Sequence, residues 1–292
     1  MKVGILVESE EGLTWPVWRR VVAACEDLGF DSVWLSDHLL SGSGEDRGGL
    51  DAWLALAVAA VDSRRIGFGP LVTPVTFRQP GLLARMAANL YALSHGRFVL
   101  GLGLGWNARE HAAFDIPFPA GPERLRLLDS GLELIRRRLE PPVPLLIGGR
   151  GRGTLELVAR YADEWNLTSS APATVEALGQ TLASLCQSIE RDPRTIRRSV
   201  SVGVLIARDT AELDRRSTAM RRLVPGLAGT PPDQVVDRLR TQGWVAGSPT
   251  EVVRALRDLA AVGVQRAMLG HYDLDDFQAL ELIAGDVLPA VS

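Results

Sequence analysis

Adjacent Asp37 and His38 close a short apolar run, Asp31 to Ser36. Imidazole is the side chain that gives or takes a proton near neutral pH, so His38 is a candidate acid or base. The pair could equally cap a turn. Further along, Gly148-Gly149-Arg150-Gly151-Arg152-Gly153-Thr154 leads from an apolar run into a helical stretch. Free backbone N–H groups and the helix dipole suit an anion there, phosphate above all. The two arginines favour that anion over a turn that merely relieves steric strain. Thr154 rather than lysine follows Gly153, so a triphosphate-hydrolysing loop is not supported.

A third stretch, Leu100-Gly101-Leu102-Gly103-Leu104-Gly105-Trp106, resembles a dinucleotide fingerprint only superficially. Trp106 and Ala108 stand where the last glycine of each possible frame is required. Small residues here let a strand approach something bulky, either a neighbouring side chain or a flat ligand. Trp106, Asn107 and Glu110 follow at once, which favours the ligand. Leu71-Val72-Thr73-Pro74, with Arg78-Gln79-Pro80 behind it, ends another run sharply, either as a plain turn or as a bulge that aims backbone groups at a bound ring. His95 and His111 are less well placed, while His271 follows the last run and could reach the same region. No H-x-x-x-H pair or carboxylate cluster suggests a metal site.

Those residues need a frame that brings run ends together. Eight runs rich in Val, Ile, Leu and Phe recur: Val3–Val7, Asp31–Ser36, Ile66–Val72, Arg97–Gly103, Pro144–Gly148, Glu164–Thr168, Val200–Ala207 and Val264–Gly270. Most are apolar throughout rather than alternating, as in parallel strands buried on both faces. Amphipathic helical stretches separate them, and a last one spans Leu274–Leu288. Eight βα units fit a TIM (β/α)8 barrel, whose chemistry sits on the loops after the carboxyl ends of the strands. No linker divides the chain, so residues 1–292 read as one domain with an excursion at about 208–249. Pro225 to Pro249, rich in Gly and Pro, is its longest irregular part and a candidate lid.

Of the 292 residues, 46% are hydrophobic and 23% charged, enough apolar surface for a large core. A net charge of -3 offers no overall basic field for nucleic acid or acidic lipid. No run approaches the roughly 18 apolar residues of a membrane span. Cys25 and Cys186 read as reduced core thiols, which points to the cytoplasm.

In order and spacing, Gly29-Phe30-Asp31 through Asp37-His38, Leu71 to Pro74, and Gly96-Arg97-Phe98 through Trp106 and Glu110 resemble the bacterial luciferase-like family. Pro117-Phe118-Pro119, Arg124, Ile147-Gly148-Gly149 and Tyr161-Ala162-Asp163 through Asn166 extend the likeness over nearly the whole chain. Asp-His after strand two resembles the oxidoreductases that use the deazaflavin coenzyme F-420 more than the members that use FMN. The resemblance implies hydride transfer between that coenzyme and a small organic substrate, with His38 and Glu110 as the proton-handling residues. It implies a bulge with a cis peptide at Leu71-Val72-Thr73, and a phosphate held by Gly148, Gly149, Arg150 and Gly151. Asp37, Gly105, Trp106 and Asn107 complete the implied coenzyme set, and a homodimer is implied as well.

The alternatives are an FMN-dependent monooxygenase and a flavin-binding barrel without turnover. One departure stands out. Glu140-Pro141-Pro142-Val143 runs straight into strand five, where the family carries roughly twenty further residues near the mouth, so a more open site is expected.

Overall fold

Strand formation follows the apolar runs. The computed structural model describes residues 1–42, 44–224 and 226–291; Ser43, Pro225 and Ser292 lie outside them, Pro225 being the start of the stretch read above as irregular. The strands are β1 (Lys2–Val7), β2 (Ser32–Leu35), β3 (Gly67–Pro70), β4 (Thr73–Pro74), β5 (Leu100–Gly103), β6 (Leu145–Gly148), β7 (Glu164–Thr168), β8 (Arg197–Ile206), β9 (Val245–Gly247) and β10 (Arg266–Gly270). Neighbours run β3-β2-β1-β10-β8-β7-β6-β5-β4, every pair parallel. A parallel bridge between Phe68 and Phe98 brings β3 back to the segment leading into β5 and closes the ring. The (β/α)8 barrel expected from the pattern is therefore present.

Strand three differs from the single run Ile66–Val72. It breaks into β3 and β4 because its partner changes: the Leu71 N–H donates to Leu35 O of β2 at 2.8 Å, whereas the Val75 N–H donates to Gly103 O of β5 at 2.9 Å. The Leu71–Val72 peptide bond at the crossing is cis.

Two apolar layers hold the barrel. The larger packs outward-facing strand residues such as Ile5, Val33, Leu100 and Ile147 against the helices. A smaller one, Leu6, Trp34, Leu146 and Met268, fills the barrel interior beneath Leu71 and Val72. Burying each such side chain contributes roughly 1.5–3 kcal/mol. Below this layer Arg266 joins Glu164 at 2.6 Å and Asp31 at 2.9 Å, closing the amino end with paired charges. The interior layer thus leaves the opposite, carboxyl end open.

The excursion is more regular than its Gly and Pro content suggests. It holds helices Thr210–Leu223 and Val235–Thr241 and strand β9, which pairs Val245 with Val204 on the long carboxyl end of β8. Met220, Val235, Leu239 and Leu205 form its own small core. A three-residue strand carries too little pattern to be seen in the sequence, and its partner lies some forty residues earlier. No helix among the described residues is long and apolar enough to cross a membrane.

Candidate active site

At the carboxyl ends of the strands lies a cavity of about 610 Å³, within the usual range for small-molecule sites. His38, just past β2, is on its wall. Behind it stands Glu110, fully buried on the short helix Ala108–Ala113 after β5. Asn107 caps that helix, its side-chain oxygen accepting from the Arg109 N–H at 3.1 Å. His38 Nδ1 lies 3.0 Å from each Glu110 oxygen, and the Leu39 N–H donates to Glu110 Oε2 at 3.1 Å. With Nδ1 engaged, Nε2 is the nitrogen left to serve the cavity. Burial disfavours the imidazolium, but the Glu110 hydrogen bond and the charges of Glu10, Glu110 and Glu8 outweigh it, and His38 is pushed up to about 9. The Trp106 ring stands edge-on to His38 with centroids 5.5 Å apart, and is itself 70% exposed.

The bulge between β3 and β4 forms a second wall. Leu71 and Val72 line the cavity; Asp37 and Thr73 are buried behind it. Asp37 Oδ2 accepts from Thr73 Oγ1 and Arg78 Nη1, both at 2.6 Å, and from Trp53 Nε1 at 3.2 Å. Asp37 therefore ties the end of β2 to β4 instead of facing the cavity. The bulky neighbour of the glycine run proves to be Val72: a Cβ on Gly103 would lie 2.7 Å from Val72 Cγ2, and one on Gly101 3.3 Å from Cγ1 and 2.0 Å from Pro70 O.

Gly148, Gly149, Arg150 and Gly151 form the third wall, with Gly151 as the N-cap of helix Arg152–Tyr161. No side chain caps that helix, so its first N–H groups are available to a ligand. Arg152 pairs with Glu156 at 3.3 Å, while exposed Arg150 has no ion pair among the described residues. Gly105, Trp106 and Asn107 join the lining, along with Pro74 and Leu104. The flat apolar side between bulge and Trp106, next to an N–H-rich loop, fits a planar ring bearing an anionic tail.

The other histidines do different work. His111 is buried, with Nδ1 donating to Asn107 O and Nε2 bonded to Thr76 Oγ1, both at 2.7 Å. His95 sits exposed in a turn at φ 54°, before β5. His271 does not line the cavity; burial pushes it down to about 4, and its Nε2 has no hydrogen-bond partner among the described residues. Among the described residues no group of three or more His, Cys, Asp or Glu could hold a metal ion.

Glu8, Glu10 and Glu11 after β1, together with Asn166, Thr168, Ser201 and Tyr272, also line the cavity, and none was read as a site residue from the sequence. Burial first, then the neighbouring Glu10, pushes Glu8 up to about 8, so the two carboxyls together hold a proton near neutral pH. Glu10 Oε2 accepts from the Ser36 hydroxyl. The available signal was position, since these acids directly follow a barrel strand at its carboxyl end.

A family model described as luciferase-like monooxygenase matches residues 1–266. An F420-dependent hydroxymycolic acid dehydrogenase of Mycobacterium tuberculosis is 27% identical over 327 aligned positions, covering 98% of this chain and 87% of that protein. An F420-dependent glucose-6-phosphate dehydrogenase of Amycolatopsis mediterranei is 27% identical over 338, covering 99% and 98%. Both alignments are longer than the 292 residues of this chain, so segments present in those proteins are missing here. Among solved structures, an F420-dependent secondary alcohol dehydrogenase in complex with an F420-acetone adduct superposes with a TM-score of 0.82 at 19% identity, over 100% of this chain and 99% of that one.

Proposed function

The chain belongs to the luciferase-like monooxygenase family, and from that premise we propose that it is an oxidoreductase moving a hydride between the deazaflavin coenzyme and a small organic substrate. One observation carries the reading: His38, its Nδ1 clamped by buried Glu110 so that Nε2 is the nitrogen left for a substrate, lines a cavity whose opposite side suits a ring and a phosphate. The names of the 27%-identical relatives point the same way.

The residues fit the group. Leu71, Val72, Pro74 and Trp106 would hold the ring, and Gly148 to Gly151 with Arg150 and the helix end would hold the phosphate. When bound, a deazaflavin supplies a carbon that takes or gives a hydride. The protein handles the proton. With its pKa near 9, His38 is mostly charged at neutral pH and ready to give a proton from Nε2 to a carbonyl oxygen. In the reverse direction its neutral form takes the hydroxyl proton. Glu110 keeps the imidazole in one orientation and stabilises its charged form, and Asp37 fixes the bulge through Thr73.

Free Cys25 and Cys186 support a cytoplasmic location. Exposed Leu54 and Val61 on helix Ala52–Asp62, with Leu82 and Leu93 on helix Pro80–Leu93, support a homodimer formed through these helices.

The test follows deazaflavin absorbance anaerobically while alcohols, or carbonyl acceptors with the reduced coenzyme, are added. Turnover without oxygen is the expected result. Oxygen uptake with reduced FMN and no deazaflavin turnover would contradict the reading, and binding of either flavin with no reaction would reduce the protein to a carrier.

A further inference from the structure

The cavity lining falls into two arcs of the barrel. Strands β4, β5 and β6 are neighbours and supply the apolar and glycine-rich side that includes Arg150. The remaining arc, β7, β8, β10, β1 and β2, supplies Glu8, Glu10, Glu11, Asn166, Ser201 and Tyr272. His38 stands on this second arc and reaches across to Glu110 beyond β5.

The second arc is net negative, since the His38 charge is paired with Glu110 while Glu8 and Glu10 keep one negative charge between them. Glu11 is satisfied by Arg47 Nη1 at 2.6 Å and the Gly42 N–H at 2.9 Å. Among the described residues Glu8 and Glu10 have only the Ser36 hydroxyl and each other as hydrogen-bond partners, and no arginine or lysine lines this side. Besides burial, the charges of Glu8, Glu10 and Glu11 push the Tyr272 phenol upward, so all three carboxyls act on the same side of the cavity. Asn166 and Ser201, bonded to each other at 3.2 Å, add neutral polar groups at the floor.

Given the deazaflavin oxidoreductase reading, we propose that the substrate is an uncharged or cationic hydroxy or carbonyl compound, and that Glu8 and Glu10 exclude phosphates and carboxylates. A phosphate or carboxylate needs an arginine or lysine to replace its hydration. On this arc it would instead meet the one negative charge that Glu8 and Glu10 share, and like charges brought together in a partly dry site repel. A hydroxyl or ammonium group finds acceptors in the same place. Glu8 and Glu10 are then specificity-determining residues, with His38 left to the proton.

Three secondary alcohols of similar size test this: 2-butanol, 1-amino-2-propanol and lactate. Binding is read from the His38 ring signals in NMR spectra of the full-length protein, identified with His38→Ala. The Arg150 loop is first filled with deazaflavin or, should none bind, with inorganic phosphate. The neutral and cationic alcohols should shift the signals, lactate at least about tenfold more weakly, and Glu8→Gln/Glu10→Gln should narrow that gap. The glutamines keep an acceptor for Ser36. Lactate binding as well as the others, a signal that none of the three moves, or a gap unchanged in the double variant overturns the proposal. Because this readout needs no coenzyme, failure of deazaflavin binding would count against the function and leave the charge selection independently testable.

Discussion

His38 and Glu110 come from loops after different strands, yet Nδ1 of one lies 3.0 Å from both carboxyl oxygens of the other. Glu110 is fully buried and the His38 side chain only 21% exposed, so the contact is sheltered from water on one side and open to the cavity on the other. That arrangement fixes the ring, raises its proton affinity and leaves Nε2 free.

Replacing His38 with alanine should leave coenzyme affinity nearly unchanged and lower turnover by about 10²–10⁴, the usual range for losing a positioned acid or base. Glu110→Gln should shift the pH–rate limb attributable to His38 downward from about 9. Steady-state pH profiles decide between these roles. Wild-type turnover in His38→Ala would remove the histidine from the chemistry, and an unmoved limb in Glu110→Gln would remove Glu110 from tuning it.

From these groups stability should be nearly level between about pH 4.5 and 6.5, where Glu8 and His271 oppose each other, and fall above pH 6.5. Raised from 6.5 to about 9, His38 contributes fully below 6.5 and loses its contribution as pH climbs through 9. Glu8, raised from 4.5 to about 8, acts with the same sign, its contribution complete below 4.5 and gone above 8. His271, lowered from 6.5 to about 4, contributes fully above 6.5 and loses that as pH falls toward 4. Urea denaturation across this range should show the alkaline fall shrink by on the order of 2 kcal/mol in His38→Gln. Stability that keeps rising from pH 6.5 to 9 would contradict the assignment.

Gly103→Ala should destabilise by about 1–3 kcal/mol, since its methyl meets Val72. Val72→Ala should lower the cost of that change in the double variant, a coupling measurable by a double-mutant cycle. Purely additive effects would mean that Val72 is not what the glycine accommodates.

These contacts mark the limit of what the sequence discloses. Asp37-His38 and the Gly148 loop are legible because each directly follows an apolar run, and a barrel places such residues at one mouth. The His38–Glu110 pair joins residues 72 positions apart, and nothing local specifies the distance between them. Gly101 and Gly103 advertise a close approach without naming the partner, which is a side chain from the bulge. Glu8 and Glu10 look like the polar end of a strand until the fold turns them inward. Strand β9 has three residues and a remote partner, so only tertiary pairing makes it a strand.

Arg150→Ala should weaken coenzyme binding by about tenfold, the scale of one charge-assisted contact. Gly149→Leu should weaken it further: its φ of +137° disfavours any side chain, and a Cβ would lie 3.0 Å from Thr154 Cγ2. Thermal melts without coenzyme separate lost binding from lost folding. Unchanged affinity in a folded Arg150→Ala protein would move the phosphate elsewhere.

Fluorescence titration of the purified protein with oxidised deazaflavin coenzyme and, separately, with FMN tests the central claim most directly. Saturable deazaflavin binding at least about tenfold tighter than FMN binding is the predicted result. Tight FMN binding with no response to the deazaflavin would contradict it.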